Sequence, residues 1–126
     1  MTTPPPLLPT LETYLKLTES REQAISANMA NVDTPGYHTR DINFEGELQK
    51  AMTGILHESE YGSGTAHFSP VAQEVPGLME RPDGNNVNLD REGLMMSETQ
   101  LQYQIGIQLV KHQFHQLLSA INGGGN

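Results

Sequence analysis

The sequence predicts a mainly α-helical fold in which long N- and C-terminal helices pair as a coiled-coil-like hairpin, with a short middle helix and a loop-rich centre that admits a little β-structure. Two observations carry this prediction. Of the 12 glycines and 8 prolines, eleven lie between Pro35 and Gly84, while residues 10–32 contain none and residues 88–122 contain only Gly93 and Gly106. Within both of these stretches, apolar residues recur at alternating intervals of three and four, which is the spacing of a helical seam.

The composition bounds the size of the protein and excludes several functions. A chain of 126 residues has room for one small domain, and 6% aromatic residues with no tryptophan give it a thin core. A net charge of −8 argues against binding to nucleic acid or to an anionic membrane. The absence of cysteine excludes a disulfide scaffold and thiolate chemistry. We expect five regions: a proline-rich leader (1–9), an N-terminal helix (10–32), a central segment (33–87), a C-terminal helix (88–122) and a flexible tail (123–126).

The N-terminal helix is predicted to run for about 23 residues, or roughly 35 Å. Thr10 is the expected N-cap, because its hydroxyl can accept a hydrogen bond from the first turn, and Glu12 would lie near the positive end of the helix. Polar residues interrupt the seam at Thr18 and Glu22. Its apolar members are Leu8, Leu11, Leu15, Ile25, Met29 and Val32.

The central segment is predicted to contain one short helix, from Phe44 to Leu56, with Asn43 as its N-cap. From His57 to Val87 the glycines and prolines indicate loops, with weak support for a short strand around residues 65–68.

The C-terminal helix is predicted to begin at the N-cap Asn88 and to reach roughly 50 Å, far longer than the usual globular helix of about 11–12 residues. It carries two apolar stripes on roughly opposite sides. One partner helix covers one stripe, so we expect other subunits on the second; a two- or three-helix core within one chain is the alternative. The first stripe comprises Leu89, Gly93, Met96, Gln100, Tyr103, Ile107, Val110, Phe114, Leu117 and Ile121; the second comprises Leu94, Leu101, Ile105 and Leu109.

The exit from the first helix has a distinctive chemistry. Small residues at Ala27 and Ala30 allow another backbone to approach closely, while the neighbouring asparagines can hydrogen-bond across a helix interface or to the departing chain. Pro35 and Gly36 suit the central pair of a type II turn, after which Tyr37 can pack as an anchor.

These exit residues follow the pattern A-N-x-A-N-x-x-T-P-G-Y, and with it the sequence resembles the flagellar basal-body rod family. Two further stretches, residues 40–44 and 84–92, and the lack of room for a large outer domain are similar to the proximal rod proteins of the FlgB type. The pattern is matched at Ala27, Asn28, Ala30, Asn31, Thr34, Pro35, Gly36 and Tyr37.

This resemblance implies a structural, non-enzymatic subunit of the proximal rod, without a cofactor. Such subunits leave the cytoplasm through the flagellar type III export system without a cleaved signal peptide and assemble helically in the periplasm through their terminal helices. They transmit torque and connect the membrane ring and export gate to the distal rod. The implied partners are copies of the same chain, rod proteins of the FlgC and FlgF types, the adaptor FliE, the membrane ring and the export gate, with no nucleic acid and no membrane insertion.

Two alternatives remain at this point. The first is a needle- or inner-rod-like coiled-coil subunit of a type III secretion system, although such hairpins do not need the T-P-G-Y exit. The second is a metal-dependent enzyme using His112 and His115, which are spaced to chelate a metal from one helix face. A metal site needs at least three protein ligands, and no third ligand is evident near these histidines in the sequence.

Overall fold

A computed structural model of the chain describes residues 7–61 and 68–123. Three helices account for most of it, and the first, α1, packs against both of the others. The mainly α-helical prediction with two long paired terminal helices is therefore confirmed. The elements in chain order are α1 (Leu7–Ala30), β1 (Arg40–Ile42), α2 (Phe44–Tyr61), β2 (Ala72–Glu74) and α3 (Leu89–Gly123).

Helix α1 begins three residues earlier than the sequence predicts. It starts at Leu7, inside the expected leader, so Thr10 lies within the helix and the prediction of Thr10 as N-cap was wrong. The reason is that Pro9 falls in the first turn, where the backbone N–H groups have no acceptor within the helix. A proline there removes no hydrogen bond, and its fixed φ angle suits the helix.

The end of α1 lies at Ala30, two residues before the predicted end. The backbone N–H of Asn31 donates to the carbonyl oxygens of both Ala27 and Asn28, at 3.1 and 3.2 Å. Such shared bonds tighten the last turn of a helix and precede the change of direction. The chain therefore leaves α1 well before Pro35 forces it to do so.

Helices α1 and α3 run antiparallel and are in close contact at Gly106. A Cβ atom on Gly106 would lie 2.7 Å from Leu15 Cδ2 and 3.2 Å from Tyr14 Cδ1, so the absence of a side chain there permits the contact. The buried residues of α3 are Glu92, Thr99 and Gly106, spaced seven apart. Small and polar residues therefore form the α3 side of this helix pair.

This arrangement corrects the predicted role of the first apolar stripe. Met96, Ile107 and Val110 are half-buried, but Tyr103 and the four stripe members nearest the ends of the helix are exposed. Because α1 packs on the line through Thr99 and Gly106, the stripe lies to one side of the contact. The exposed end members are Leu89, Phe114, Leu117 and Ile121.

Helix α1 is also buried on a second side, which lies outside the apolar seam predicted from the sequence. Leu11 and Ile25 of the predicted seam are buried, but so are Thr13 and Leu17, which lie outside it. Helix α2 and strand β1 both pack against α1 and account for this second buried side. Tyr14 meets Phe44 of α2 edge to face, with ring centroids 5.4 Å apart, and burial raises the pKa of the Tyr14 phenol.

Helices α2 and α3 both begin with the predicted N-caps. The Asn43 side-chain oxygen accepts from the backbone N–H of Gly46 at 3.2 Å, and the Asn88 oxygen accepts from Asp90 and Arg91 at 3.0 and 3.2 Å. Helix α2 continues to Tyr61, five residues beyond the predicted end.

A two-stranded antiparallel sheet joins the exit from α1 to the loop before α3. Arg40 pairs with Glu74 and Ile42 with Ala72. The predicted strand at 65–68 lies outside the described residues except for Phe68, which is not in a strand. Each observed strand has three residues and too little alternation to be recognised from the sequence.

Within residues 7–61 and 68–123, no helix combines the length and the hydropathy needed to cross a bilayer.

Replacing Gly106 with valine is expected to lower the free energy of unfolding by about 1–3 kcal/mol, because the new side chain meets Leu15 and the rigid Tyr14 ring. Gly93 provides the matched control: a Cβ atom there meets nothing within 4 Å, so Gly93→Val should change stability by less than about 0.5 kcal/mol. Urea unfolding followed by circular dichroism measures both. Equal effects at the two glycines would contradict the close approach at Gly106.

Candidate functional site

Asn28 on α1 lies at the centre of a buried hydrogen-bond network. Its Nδ2 group donates to the Arg40 carbonyl oxygen at 2.7 Å and to Glu92 Oε2 at 3.0 Å. Its Oδ1 atom accepts from the Arg40 N–H at 3.0 Å and from the Tyr37 hydroxyl at 3.1 Å. These four bonds use both N–H groups and both lone pairs of the amide. Asn28 therefore links α1 to α3, to β1 and to the exit segment at once.

Glu92, in the first turn of α3, is fully buried. Its Oε1 atom accepts from Arg91 Nη1 at 2.7 Å, and its Oε2 atom accepts from Asn28. A buried carboxylate is tolerated when it is paired and hydrogen-bonded in this way. Sequence reasoning missed this residue, although its seven-residue spacing from Thr99 and Gly106 is a signal that could have found it.

Asp41 of β1 extends the network to a second arginine. Arg21 of α1 holds the two Asp41 oxygens through Nε and Nη2, each at 3.1 Å, and Arg91 Nη2 lies 4.0 Å from Asp41 Oδ2. A two-pronged arginine–carboxylate contact fixes orientation as well as charge. We call the connected set the polar junction; it comprises Arg21, Asn28, Asp41, Arg91 and Glu92.

The exit from α1 is a tight turn. The backbone N–H of Tyr37 donates to the Thr34 carbonyl at 3.2 Å, and Gly36 has φ +75°, as a type II turn requires of its third residue. The Gly36 N–H donates to the Asp83 carbonyl at 2.9 Å. Gly84 lies so near that a Cβ atom on it would be 3.4 Å from Gly36 Cα. The turn therefore packs backbone to backbone on the segment that leads into α3.

Asn85 closes the C-terminal end of α1. It is fully buried, and its Nδ2 group donates to the carbonyl oxygens of Asn31 and Thr34, at 2.9 and 2.8 Å. Its Oδ1 atom accepts from the Val87 N–H at 2.8 Å. The carbonyl groups at the end of a helix lack partners within it, and Asn85 supplies the donor for this region. Arg81 Nη2 adds a donor to the Val32 carbonyl.

Asn86 fastens the same segment to the approach to β1. Its Oδ1 atom accepts from the Thr39 N–H at 2.6 Å, and its own N–H donates to the Tyr37 carbonyl at 3.2 Å. Thr39 and Asn86 are both buried. Together, Asn85 and Asn86 join the exit from α1 to the entry of α3 through hydrogen bonds.

The structure distributes the eight residues of the exit pattern over two environments. Asn28 is fully buried, and Asn31 and Tyr37 are half-buried. Ala27, Ala30 and Pro35 are exposed, so the described part of the chain does not use the two alanines for a close backbone approach. Thr34 and Gly36 form the turn itself.

The second apolar stripe of α3 faces solvent along its whole length. Leu94, Leu101, Ile105 and Leu109 are all exposed, Leu101 to 58%. The last three line a shallow groove together with two glutamines, Gln104 and Gln108. Single exposed leucines are ordinary, but a continuous row on one helix marks an interaction surface.

His38 connects the α1 exit to the segment around β2. Its Nδ1 atom lies 3.3 Å from Glu74 Oε2, and its Nε2 atom lies 3.0 Å from Glu80 Oε1. All three side chains are at least partly accessible to solvent. Contacts of this kind position a loop and contribute little to overall stability.

The two histidines of α3 stand apart from other ligand side chains. His112 Nε2 lies 3.2 Å from Gln116 Nε2. In the part of the chain that the structure describes, no three histidine, aspartate or glutamate side chains are grouped to hold a metal ion.

Replacing Asn85 with aspartate is expected to lower the free energy of unfolding by about 2–4 kcal/mol. The substitution keeps the oxygen that accepts from Val87 but sets a buried charge against the carbonyl oxygens of Asn31 and Thr34. The matched control is Asn43→Asp at the N-cap of α2, which should stay within about 0.5 kcal/mol because aspartate caps equally well. Chemical denaturation compares the two variants, and an equal loss would contradict the buried role of Asn85.

Comparison with known proteins gives a consistent set of relatives. No model of a known protein family matches the chain. The chain is 34% identical over 122 residues to the flagellar basal body rod protein FlgB of Salmonella typhimurium, covering 87% of this chain and 88% of the relative. Its identity to the protein of the same name from Escherichia coli strain K12 is 31% over 122 residues, with the same coverage. The chain is 24% identical over 120 residues to the FlgB protein of Bacillus subtilis, and the match covers 90% of this chain and 92% of the relative.

Proposed function

Because the chain belongs to the FlgB family of flagellar basal body rod proteins, we propose that it is a structural subunit of the proximal rod that assembles helically through α1 and α3. The observation that carries this proposal is the exposed second stripe of α3. Its three leucines and one isoleucine are exposed, and no element among the described residues covers them. Between Met95 and Ile121 the sequence of α3 carries only two charged residues, Glu98 and Lys111. We expect neighbouring subunits to bury this stripe, because contact removes its apolar side chains from water.

The polar junction supports this role in a different way. It holds α1, β1 and α3 in one orientation, although few apolar residues are buried in the described chain: Leu11, Leu17, Ile25, Ile42 and Val87. A rod subunit has to pass torque to its neighbours, and hydrogen bonds and paired charges resist rotation of one helix against the other. The junction therefore supplies rigidity inside each subunit, while the apolar stripes remain available for contacts between subunits.

The partners that we propose follow from the family. They are copies of this chain, rod proteins of the FlgC and FlgF types, the adaptor FliE, the membrane ring and the export gate. The faces that we assign to these contacts are the two stripes of α3 and, at the end of α1, the half-buried Met29 and Val32. The other residues of the predicted assembly face on α1, Leu11, Leu15 and Ile25, pack inside the subunit. Export by the flagellar type III system and assembly in the periplasm fit a chain with a thin core, since a marginally stable monomer unfolds readily for transport.

The proposed role is mechanical, with no catalysis and no cofactor. Deleting the gene should abolish motility and leave basal bodies without a complete rod in electron micrographs. Complementation with the intact gene should restore both. Complete rods and normal swimming in the deletion strain would overturn the proposal.

A further inference from the structure

Helix α3 faces α1 with a line of residues that is poor in apolar side chains. Among the described residues of α3, the buried ones are Glu92, Thr99 and Gly106. At about 100° of turn per residue, the centre of the first apolar stripe lies roughly 60° to one side of this line. The centre of the second stripe lies roughly 125° to the other side. Apolar burial alone would favour packing the first stripe on α1, so a different interaction determines which side of α3 faces α1.

Asn28 is a polar group of α1 whose position is fixed by the rest of the subunit. Its Oδ1 atom accepts from the Arg40 N–H and the Tyr37 hydroxyl, and its Nδ2 group donates to the Arg40 carbonyl oxygen. These three bonds hold the amide on β1 and on the exit segment. The remaining N–H of Nδ2 donates to Glu92 Oε2 at 3.0 Å, and both side chains are closed to water. The contact that α3 makes here is therefore to an immobile donor.

A rotation of α3 about its own axis would break this bond. The end of a long side chain lies about 5–6 Å from the helix axis, so a turn of roughly 60° displaces it by about the same distance. Such a displacement takes the Glu92 carboxylate out of hydrogen-bond range, and Asn28 cannot follow because it is bonded to Arg40 and Tyr37. The buried Asn28 N–H would then lack an acceptor, which opposes the gain from burying the first stripe.

We propose that the bond between Asn28 and Glu92 sets the rotation of α3 on α1 and so keeps the first stripe out of the interior of its own subunit. Without the bond, α3 turns by roughly 60° and packs Met96, Tyr103 and Ile107 against α1. Met96 and Ile107 are half-buried and Tyr103 is 41% exposed, as expected for a stripe that lies beside the contact. Use of that stripe by neighbouring subunits rests on the proposed function, whereas the rotation of α3 does not.

Glu92→Ala tests this inference, because it removes the carboxylate but none of the three other bonds of Asn28. Hydroxyl-radical footprinting with mass spectrometry measures the exposure of single side chains in the purified full chain, at a dilution where sedimentation velocity shows a monomer. Labelling of Tyr103 should fall about threefold or more in Glu92→Ala, because the first stripe then packs on α1. Labelling of Leu101, on the second stripe, should stay unchanged.

Two control variants separate the rotation of α3 from its stability. Glu92→Gln keeps an oxygen that accepts from Asn28, so Tyr103 should be labelled as in the parent protein. Glu98→Ala removes an exposed acid from the same helix and should also leave the labelling unchanged. Loosening or unfolding of the chain would raise the labelling of the buried Leu17 and would not lower that of Tyr103.

A second variant keeps the test valid if Glu92→Ala loses its helical circular dichroism. A Cβ atom on Gly93 meets nothing within 4 Å, so Gly93→Ala should strengthen α3 without making a new contact. The labelling is then compared between Gly93→Ala and the double variant that also carries Glu92→Ala. Unchanged or increased labelling of Tyr103, or loss of helix in both variants that lack Glu92, would overturn the inference.

These outcomes are distinct from failure of the proposed function. The footprinting concerns a single chain, so a negative result would leave the rod assignment standing. Complete rods in the deletion strain would overturn that assignment and leave the rotation of α3 untouched.

Discussion

Replacing Asn28 with alanine is expected to lower the free energy of unfolding by about 3–5 kcal/mol, the largest loss of stability that we expect from any single substitution in the chain. The amide makes four hydrogen bonds in a site closed to water. Without it, the Glu92 carboxylate loses a donor, and the Tyr37 hydroxyl loses its acceptor. A buried polar group left without a partner costs about 1–3 kcal/mol, and more when it is charged.

Asn31, three residues along the same pattern, provides the control. Its side chain donates to the Ala27 carbonyl at 2.8 Å and accepts from the Thr34 hydroxyl at 3.0 Å, and both bonds are exposed to water. Asn31→Ala should therefore cost less than about 1 kcal/mol. Urea denaturation at neutral pH separates the two variants. If both variants lose the same free energy of unfolding, burial of the Asn28 hydrogen bonds is not the cause of the loss.

The presence of the three helices and the starts of α2 and α3 can be predicted from the sequence because they depend on local chemistry. Glycine and proline break helices wherever they fall, so their distribution outlines α1 and α3 before any contact is known. Asn43 and Asn88 are recognisable as N-caps because a short amide side chain ahead of an apolar run satisfies free N–H groups. The start of α1 at Leu7 does not follow from local chemistry in the same way, because a proline such as Pro9 fits the first turn of a helix as well as a segment ahead of it.

The helix interface could not be predicted in the same way. Apolar spacing favours the two stripes of α3, yet the line that meets α1 runs through Glu92, Thr99 and Gly106. Glycine and threonine carry little hydrophobic signal, and a buried glutamate contradicts it. Their position becomes intelligible once Asn28 and Arg91 are seen to pair with Glu92. At this site, hydrogen bonds to residues distant in sequence determine which face of α3 is buried, and the apolar spacing of α3 does not.

Polar and apolar residues of α3 make different kinds of contact. In many small proteins the apolar face of a helix is used up inside the fold. Here polar residues make many of the contacts within the subunit, beside a few buried apolar side chains, and Leu101, Ile105 and Leu109 stay exposed. The proposed assembly depends on this separation, because a change on the second stripe can affect assembly without affecting folding.

Replacing Leu101 with glutamate is therefore expected to stop rod assembly while leaving the free energy of unfolding within about 0.5 kcal/mol of the parent protein. Leu101 is exposed in the single chain, so the substitution costs little there, but a carboxylate buried between subunits without a partner is strongly unfavourable. Ile107→Glu should also stop assembly, but Ile107 is half-buried, so that variant loses stability as well.

Swimming in soft agar and electron microscopy of isolated basal bodies measure assembly, and urea unfolding of the purified variants measures stability. Ser97→Glu is the matched control, because Ser97 is exposed on α3 between the two stripes and should tolerate the added charge. We expect motility with Ser97→Glu and none with Leu101→Glu. If the Leu101→Glu strain swims and builds complete rods, the second stripe does not contact neighbouring subunits, and assembly must depend on the first stripe and α1.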